Sequence, residues 1–359
     1  MQNILKITGL ICLSICVGCQ QVSGQIDSSL DDGRPEVRGI YNWIHSTGYG
    51  ERAFAFYHDM LGLELARSPF GGPAPTDAPP PQIRPASEAR SDPLIWHLTD
   101  SEGGRFRNIF MHSANTPYGL ELSEFYDIPR RERVDSPYDP GSSRIIFYVR
   151  DLDTLYDNLR AMNTPVVSLN GAIVNTSLGE SVLIRDPDGY MIQLVQASAT
   201  EIAAAAFPEQ IISTHIGLTV ADTTRSLLYY QDLLGFELEG IRQGTASDLQ
   251  VNGLSAGSLS QTTMIIPGTD TMVILDEYQV PANTTPAPRA LSWTIQDVGS
   301  PQFQLQVSDI DAFIELTLDA GYEFLSWDAE PIQRDFGRFV FAIDPDGVLV
   351  EYVEPTMQL

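Results

Sequence analysis

Between Ile211 and Val220 apolar and polar residues largely alternate, the period of a strand with one dry face and one face turned elsewhere. Ile216, Leu218 and Val220 fill the dry side, and His215, Gly217 and Thr219 share the other. Asp222 or Thr223 then offers a helix cap, Leu227, Leu228, Tyr230 and Leu234 an apolar stripe, and Gly235 a left-handed stop before a second strand from Phe236. The same pattern occurs earlier. Phe56-Tyr57-His58-Asp59-Met60-Leu61-Gly62 returns 173 residues later as Tyr229-Tyr230-Gln231-Asp232-Leu233-Leu234-Gly235. Asp186-Pro187-Asp188-Gly189 returns 158 residues later as Asp344-Pro345-Asp346-Gly347, with Val149 to Asp153 repeated at Val307 to Asp311.

Four strand, helix, strand units therefore follow one another in two tandem pairs. The first runs from about Arg38 to Phe125, with a helix near Glu51 to Leu61. The second opens at Ile145 to Val149 and closes at Tyr190 to Val195; the third opens at Ile211; the fourth opens at Phe303 to Val307 and closes at Val348 to Val353. Each Asp-Pro-Asp-Gly is a tight turn into a last strand. A Pro-rich insertion, Pro69 to Pro85, separates the second and third strands of the first unit and reads either as a lid or as a solvated excursion. After it, Leu94 to Leu98, Asn108 to His112 and Gly119 to Leu122 alternate like strands.

This order of elements, with Tyr-Tyr-x-Asp-Leu-Leu-Gly closing the helix, resembles the vicinal oxygen chelate superfamily of glyoxalases, extradiol dioxygenases and antibiotic resistance proteins, over about residues 38 to 355. The resemblance implies an α+β fold of two tandem domains, each a pair of βαβββ modules closed into a cup-like incomplete barrel. The expected boundaries are 38–198 and 210–355, joined by an Ala-rich linker at 199–209.

Family metal ligands come from the first and last strands of paired units. In the C-terminal domain those positions hold His215, Ile274, Gln302 and Glu351. His215, Gln302 and Glu351 would bind a divalent ion such as Zn, Ni, Mn or Fe as a Lewis acid, with His215 and Glu351 the catalytic pair and Gln304 on the same amide-lined face as a substrate contact. The two side chains would then lie within roughly 5 Å of each other, given metal-ligand bonds near 2 Å. His215 is equally readable as a hydrogen-bonded pocket histidine. The N-terminal domain has Asn42, Glu121, Arg144 and Gln193 at the corresponding places. Arg144 would repel a cation and suits a carboxylate ligand instead. Pairing the first unit with the fourth would instead group Asn42, Glu121, Gln302 and Glu351 and leave His215 outside. His45, His58, His97 and His112 read as wall or surface residues.

The 359 residues suffice for two domains, and the net charge of -26, spread along the chain, argues against nucleic acid. Residues 1–19 have one Lys, an apolar run too short to span a bilayer, and all three cysteines, Cys12, Cys16 and Cys19. They read as an export signal, and Val17-Gly18-Cys19 resembles a bacterial lipobox, with Cys16 where Leu is usual. Lipidation at Cys19, a polar tether over 20–37, and Gln20 after the cysteine imply a lipid-anchored protein of the cell envelope, sorted to the outer membrane. Two functions follow: a metal-dependent lyase, isomerase or, less in keeping with Gln302, dioxygenase acting on a small oxygen-rich substrate; or a metal-free lipoprotein that sequesters a small molecule.

Overall fold

The computed structural model describes residues 34–66, 81–132 and 135–356, so the signal, Cys19, the start of the tether and most of the Pro-rich insertion lie outside the described residues. The first unit has strands β1 (Val37–Ser46), β2 (Glu64–Leu65), β3 (Arg105–His112) and β4 (Gly119–Tyr126). The second has β5 (Ser143–Val149), β6 (Val174–Thr176), β7 (Gly179–Arg185) and β8 (Met191–Gln196). The third has β9 (Ile211–Val220), β10 (Glu237–Gln243), β11 (Ser258–Ile265) and β12 (Met272–Gln279), and the fourth β13 (Pro301–Val307), β14 (Ile332–Arg334), β15 (Gly337–Ile343) and β16 (Leu349–Pro355).

Within every unit the first and last strands pair in parallel, so the helix after the first strand is the crossover. The helices are α1 (Gly50–Ala55), α2 (Pro93–Thr99), α3 (Leu152–Ala161), α4 (Ala199–Ala204), α5 (Thr223–Leu227), α6 (Ala246–Val251) and α7 (Ile310–Asp319). Asp222 caps α5, as Asp151 and Asp309 cap α3 and α7 through side-chain bonds to backbone N–H groups. Both α1 and α5 run on into a wide π-type turn, and Gly62 and Gly235 follow at φ +74° and +75°.

The units combine differently from the expected N-terminal and C-terminal cups. Strand β1 lies antiparallel to β13, joining units one and four into one eight-stranded sheet, and β5 lies antiparallel to β9, joining units two and three into the other. Each first strand has one edge satisfied by its own unit and needs a partner on the other. Either grouping satisfies that edge and buries the same face, which is why the alternation leaves the choice open.

Between the sheets lies a single core that includes Trp43, Leu120, Phe147, Ile216, Phe303 and Tyr352, with Trp43 stacked on Phe303 at 6.0 Å between ring centroids. The repeated turns bind the sheets together. Tyr57 Oη donates to Asp186 and Tyr230 Oη to Asp344, at 3.0 and 2.7 Å; Arg52 pairs with Asp188 and Arg225 with Asp346, at 2.8 and 2.6 Å. The Asp-Pro-Asp-Gly turn of one unit thus holds the helix of the preceding unit, which belongs to the other sheet. Leu94 to Leu98 form a helix rather than the expected strand. Asp92 caps it and Pro93 opens it, and so short an apolar run carries no readable period.

Candidate functional site

On the face of the first sheet turned away from the shared core, β4 contributes Glu121 and Ser123, β13 Gln302 and Gln304, β16 Glu351, and β1 Asn42 and Ile44. These side chains share a face by strand parity and register: Ile44 stands beside Glu121 and opposite Gln302, and Gln304 stands beside Glu351 and opposite Asn42. All of them but Asn42 line the floor of a cavity of about 140 Å³ walled by Leu98, Phe106, Phe110, Phe125, Phe339 and Phe341 among others. At roughly 10–15 Å³ per water centre, that is room for about ten waters, or a small organic molecule. Helix α2 closes one side. Its Leu98 carbonyl accepts from Ser326 at 2.8 Å, and Trp327 Nε1 donates to Asp100, just beyond its end, at 2.6 Å.

The floor is wired. Asn42 Nδ2 donates to Gln304 Oε1 at 2.8 Å, and Gln304 Nε2 donates to Glu351 Oε2 at 2.6 Å. Ser123 Oγ donates to Glu121 Oε1 at 3.3 Å. Gly119 makes room for the start of this chain, since a Cβ there would come within 2.8 Å of the Asn42 amide oxygen. Burial raises the Glu121 carboxyl from 4.5 to about 8, against the hydrogen bonds from Ser123 and Asn108. Burial also raises Glu351 to about 8, the nearby Glu121 charge adds to it, and the Gln304 amide opposes it. Two buried acids in one pocket cannot both ionise cheaply, so at neutral pH the pair keeps at least one proton and presents both a donor and acceptors.

The structure brings Gln302, Gln304 and Glu351 together with Glu121, and does not bring His215 to them. His215 stands on β9 in the other sheet, paired in register with Ile146. The expected approach of His215 to Glu351 fails because the third and fourth units lie in different sheets. The histidine is instead a structural acceptor: Met272 N donates to Nδ1 at 3.0 Å, Ser213 Oγ lies 3.2 Å from Nε2, and burial lowers its pKa from 6.5 to about 4. Arg144 is not a free anchor for a carboxylate ligand either. Its guanidinium pairs with Asp276 at 2.8 Å and donates to Gln193 at 2.8 Å, with Gln261 and Tyr278 also donating to Asp276. Asp276 is two residues beyond Ile274 on the same strand face, a place where a buried arginine's counter-charge could have been sought.

A resident divalent ion does not fit the floor. It offers no imidazole, Ile44 occupies the first-strand position beside Glu121, and the Gln304 N–H group is aimed at the carboxylate oxygen a cation would need. Among the described residues, no three of His, Cys, Asp or Glu are grouped to hold a metal.

The family model for the glyoxalase/bleomycin resistance protein/dioxygenase superfamily matches residues 46–194 and again 212–352. The chain belongs to that superfamily. Members commonly use divalent metals, which makes the donor set of this cup a departure. Similar solved structures include a mutant of glyoxalase I from Zea mays, at 18% identity and a TM-score of 0.54, covering 90% of this chain and 94% of that one. Glyoxalase I from Zea mays itself matches at 18% identity and a TM-score of 0.52, covering 89% and 92%. At such identity these likenesses concern the fold, including its two tandem superfamily domains. No curated protein matches the chain.

Proposed function

We propose that the cup of units one and four binds a small, mainly apolar molecule whose polar group rests on the Glu121 and Glu351 carboxyls, without a metal. The observation that carries this reading is an aromatic-walled cavity over a floor of buried amides and carboxyls, three of them joined by hydrogen bonds. A protonated carboxyl donates to a carbonyl, hydroxyl or ether oxygen, its neighbour accepts from an O–H or N–H group, and the phenylalanine wall takes the apolar body. An anion seated on the floor itself would lose its water and meet no cation there.

Titration calorimetry of the native chain with small neutral aromatic alcohols and ketones at pH 6 and pH 9 tests the reading. Binding should weaken at pH 9 and in Glu351→Gln, and added Zn or Mn should leave it unaltered. A wild type that binds only with metal would overturn it in favour of the metalloenzyme.

A second reading rests on the pair itself. Two acids that burial raises to about 8 line one cavity, and once one of them has lost its proton it can act as base and the other as general acid, which suits proton transfer beside a carbonyl. Solvent deuterium exchange into a bound ketone, absent in Glu351→Gln, would distinguish catalysis from sequestration.

We also propose that the protein is exported and anchored through a lipid on Cys19, a reading supported by residues 1–19. Labelled palmitate should be incorporated by the wild type and not by Cys19→Ser. Among the described residues no helix is long and apolar enough to cross a membrane.

A further inference from the structure

Outside the cup a second hollow of about 770 Å³ opens, and Ile95, Phe106, Asn108, Phe110, Arg334 and Phe336 line both, so the two adjoin. The chain has 47 acidic and 21 basic residues, yet four arginines line this hollow: Arg84, Arg90, Arg107 and Arg334. Two of them are spoken for. Arg107 lies 2.6 Å from both Glu51 and Glu124, and Arg334 donates to Asp92 at 2.6 Å. The backbone carbonyl of the half-buried Arg84 accepts from Arg107, and the exposed Arg90 pairs through its backbone with Phe106. Among the described residues their side chains meet no acid. The acids in the wall are Asp92, already paired, and Asp335.

Two arginines whose side chains meet no acid among the described residues, at the rim of an aromatic-walled cup, define the missing part of a ligand. We infer that the outer hollow is an anion subsite, and that the cup's ligand is an amphiphilic organic anion. Its apolar body would enter between the phenylalanines, and its carboxylate, sulfate or phosphate would rest on Arg84 and Arg90. This rests on the proposed binding function of the cup and narrows it to one class of ligand. The guanidinium fork takes two oxygens of such a group at once, and the low dielectric of the adjoining aromatic wall strengthens the contact. The arrangement also reconciles the inner floor, which disfavours an anion, with recognition of a charged molecule. The charge stays outside while the neutral end reaches the acids.

The test compares ω-phenylalkanoates of four to eight carbons with the matching ω-phenylalkanols, titrated calorimetrically against the native chain at pH 7 and low salt. The best acid should bind roughly tenfold tighter than its alcohol, and 0.5 M NaCl should erase most of that ratio. The ratio should fall toward one in Arg84→Gln/Arg90→Gln and persist in Arg105→Gln, a control that loses an exposed ion pair with Asp127 elsewhere. Melting curves of the variants report whether the fold is kept. Acids and alcohols that bind equally, or an acid preference untouched by Arg84→Gln/Arg90→Gln, would overturn the anion subsite and leave the cup's binding function standing. If no member of either series binds, the binding function itself falls, and the subsite with it.

Discussion

The two cups are built from the same four strand positions and reach opposite electrostatic solutions. Register puts the first-strand position two residues beyond the expected Asn42 and His215: the cup of units one and four holds Ile44, Glu121, Gln302 and Glu351, and the cup of units two and three Gly217, Ile274, Arg144 and Gln193. The first leaves two acids facing a cavity and neutralises them by retaining protons. The second closes on an internal ion pair, Arg144 with Asp276. Gly217 is part of that solution, since a Cβ there would come within 2.6 Å of the Arg144 guanidinium carbon. A buried charge must be paired, protonated or supplied with a ligand. The second cup took the first course; the first cup took the second and thereby kept room for a guest.

The largest expected effect attacks the closed cup. Asp276→Ala leaves Arg144 buried without its counter-charge and should cost about 3–5 kcal/mol in urea unfolding. The paired change Arg144→Met/Asp276→Leu should cost much less; a double variant as damaged as the single one would mean that the ion pair does not set the energetics of this cup.

Next comes the pH dependence of the open cup. Glu351 titrates near 8 in the folded chain and near 4.5 in the unfolded one, so between these values the native state holds a proton the unfolded state has released. Its stability contribution is fully present below about pH 4.5 and is lost as pH rises through 8, on the order of a few kcal/mol. Glu351→Gln should flatten the fall in stability between about pH 4.5 and 8, with Glu121→Gln doing the same. Equal slopes in wild type and variants would show that the pair does not retain its proton.

His215 reports the opposite sign. Its folded pKa near 4 lies below 6.5, so its contribution is present above pH 6.5 and is lost as pH falls through 4. Removing it in His215→Ala orphans the Met272 N–H group and should cost about 1–3 kcal/mol, with ligand binding in the open cup unaltered. Loss of binding instead would connect the two cups. The smallest contrast is between the clasps. Tyr57→Phe and Tyr230→Phe each delete one phenol donor to a buried aspartate and should each cost roughly 1 kcal/mol or somewhat more. Tyr57 also lies 3.0 Å from His45 Nε2, so its loss should be the more costly of the two.

Much of this was legible in the residues. The repeats at 173 and 158 give the four units, Asp222 its cap and Gly235 its left-handed stop, and parity puts Glu351 on one face with Leu349 and Val353. Legibility ended at the helix over Pro93–Thr99, whose apolar run is too short to distinguish periods, and at Asp276, which looks like one more acid in an acidic chain until Arg144 is seen against it.

What the linear order determined is local: the elements, their caps, and which side chains share a strand face, because these depend on neighbours a few residues away. What only the tertiary structure decided is which first strands meet across the centre. Either pairing buries the same apolar faces and satisfies the same backbone edge, so hydrophobic periodicity cannot distinguish them. The pairing of β1 with β13 put Glu351 and Glu121 on the floor of one cavity, and the pairing of β5 with β9 set His215 apart from both.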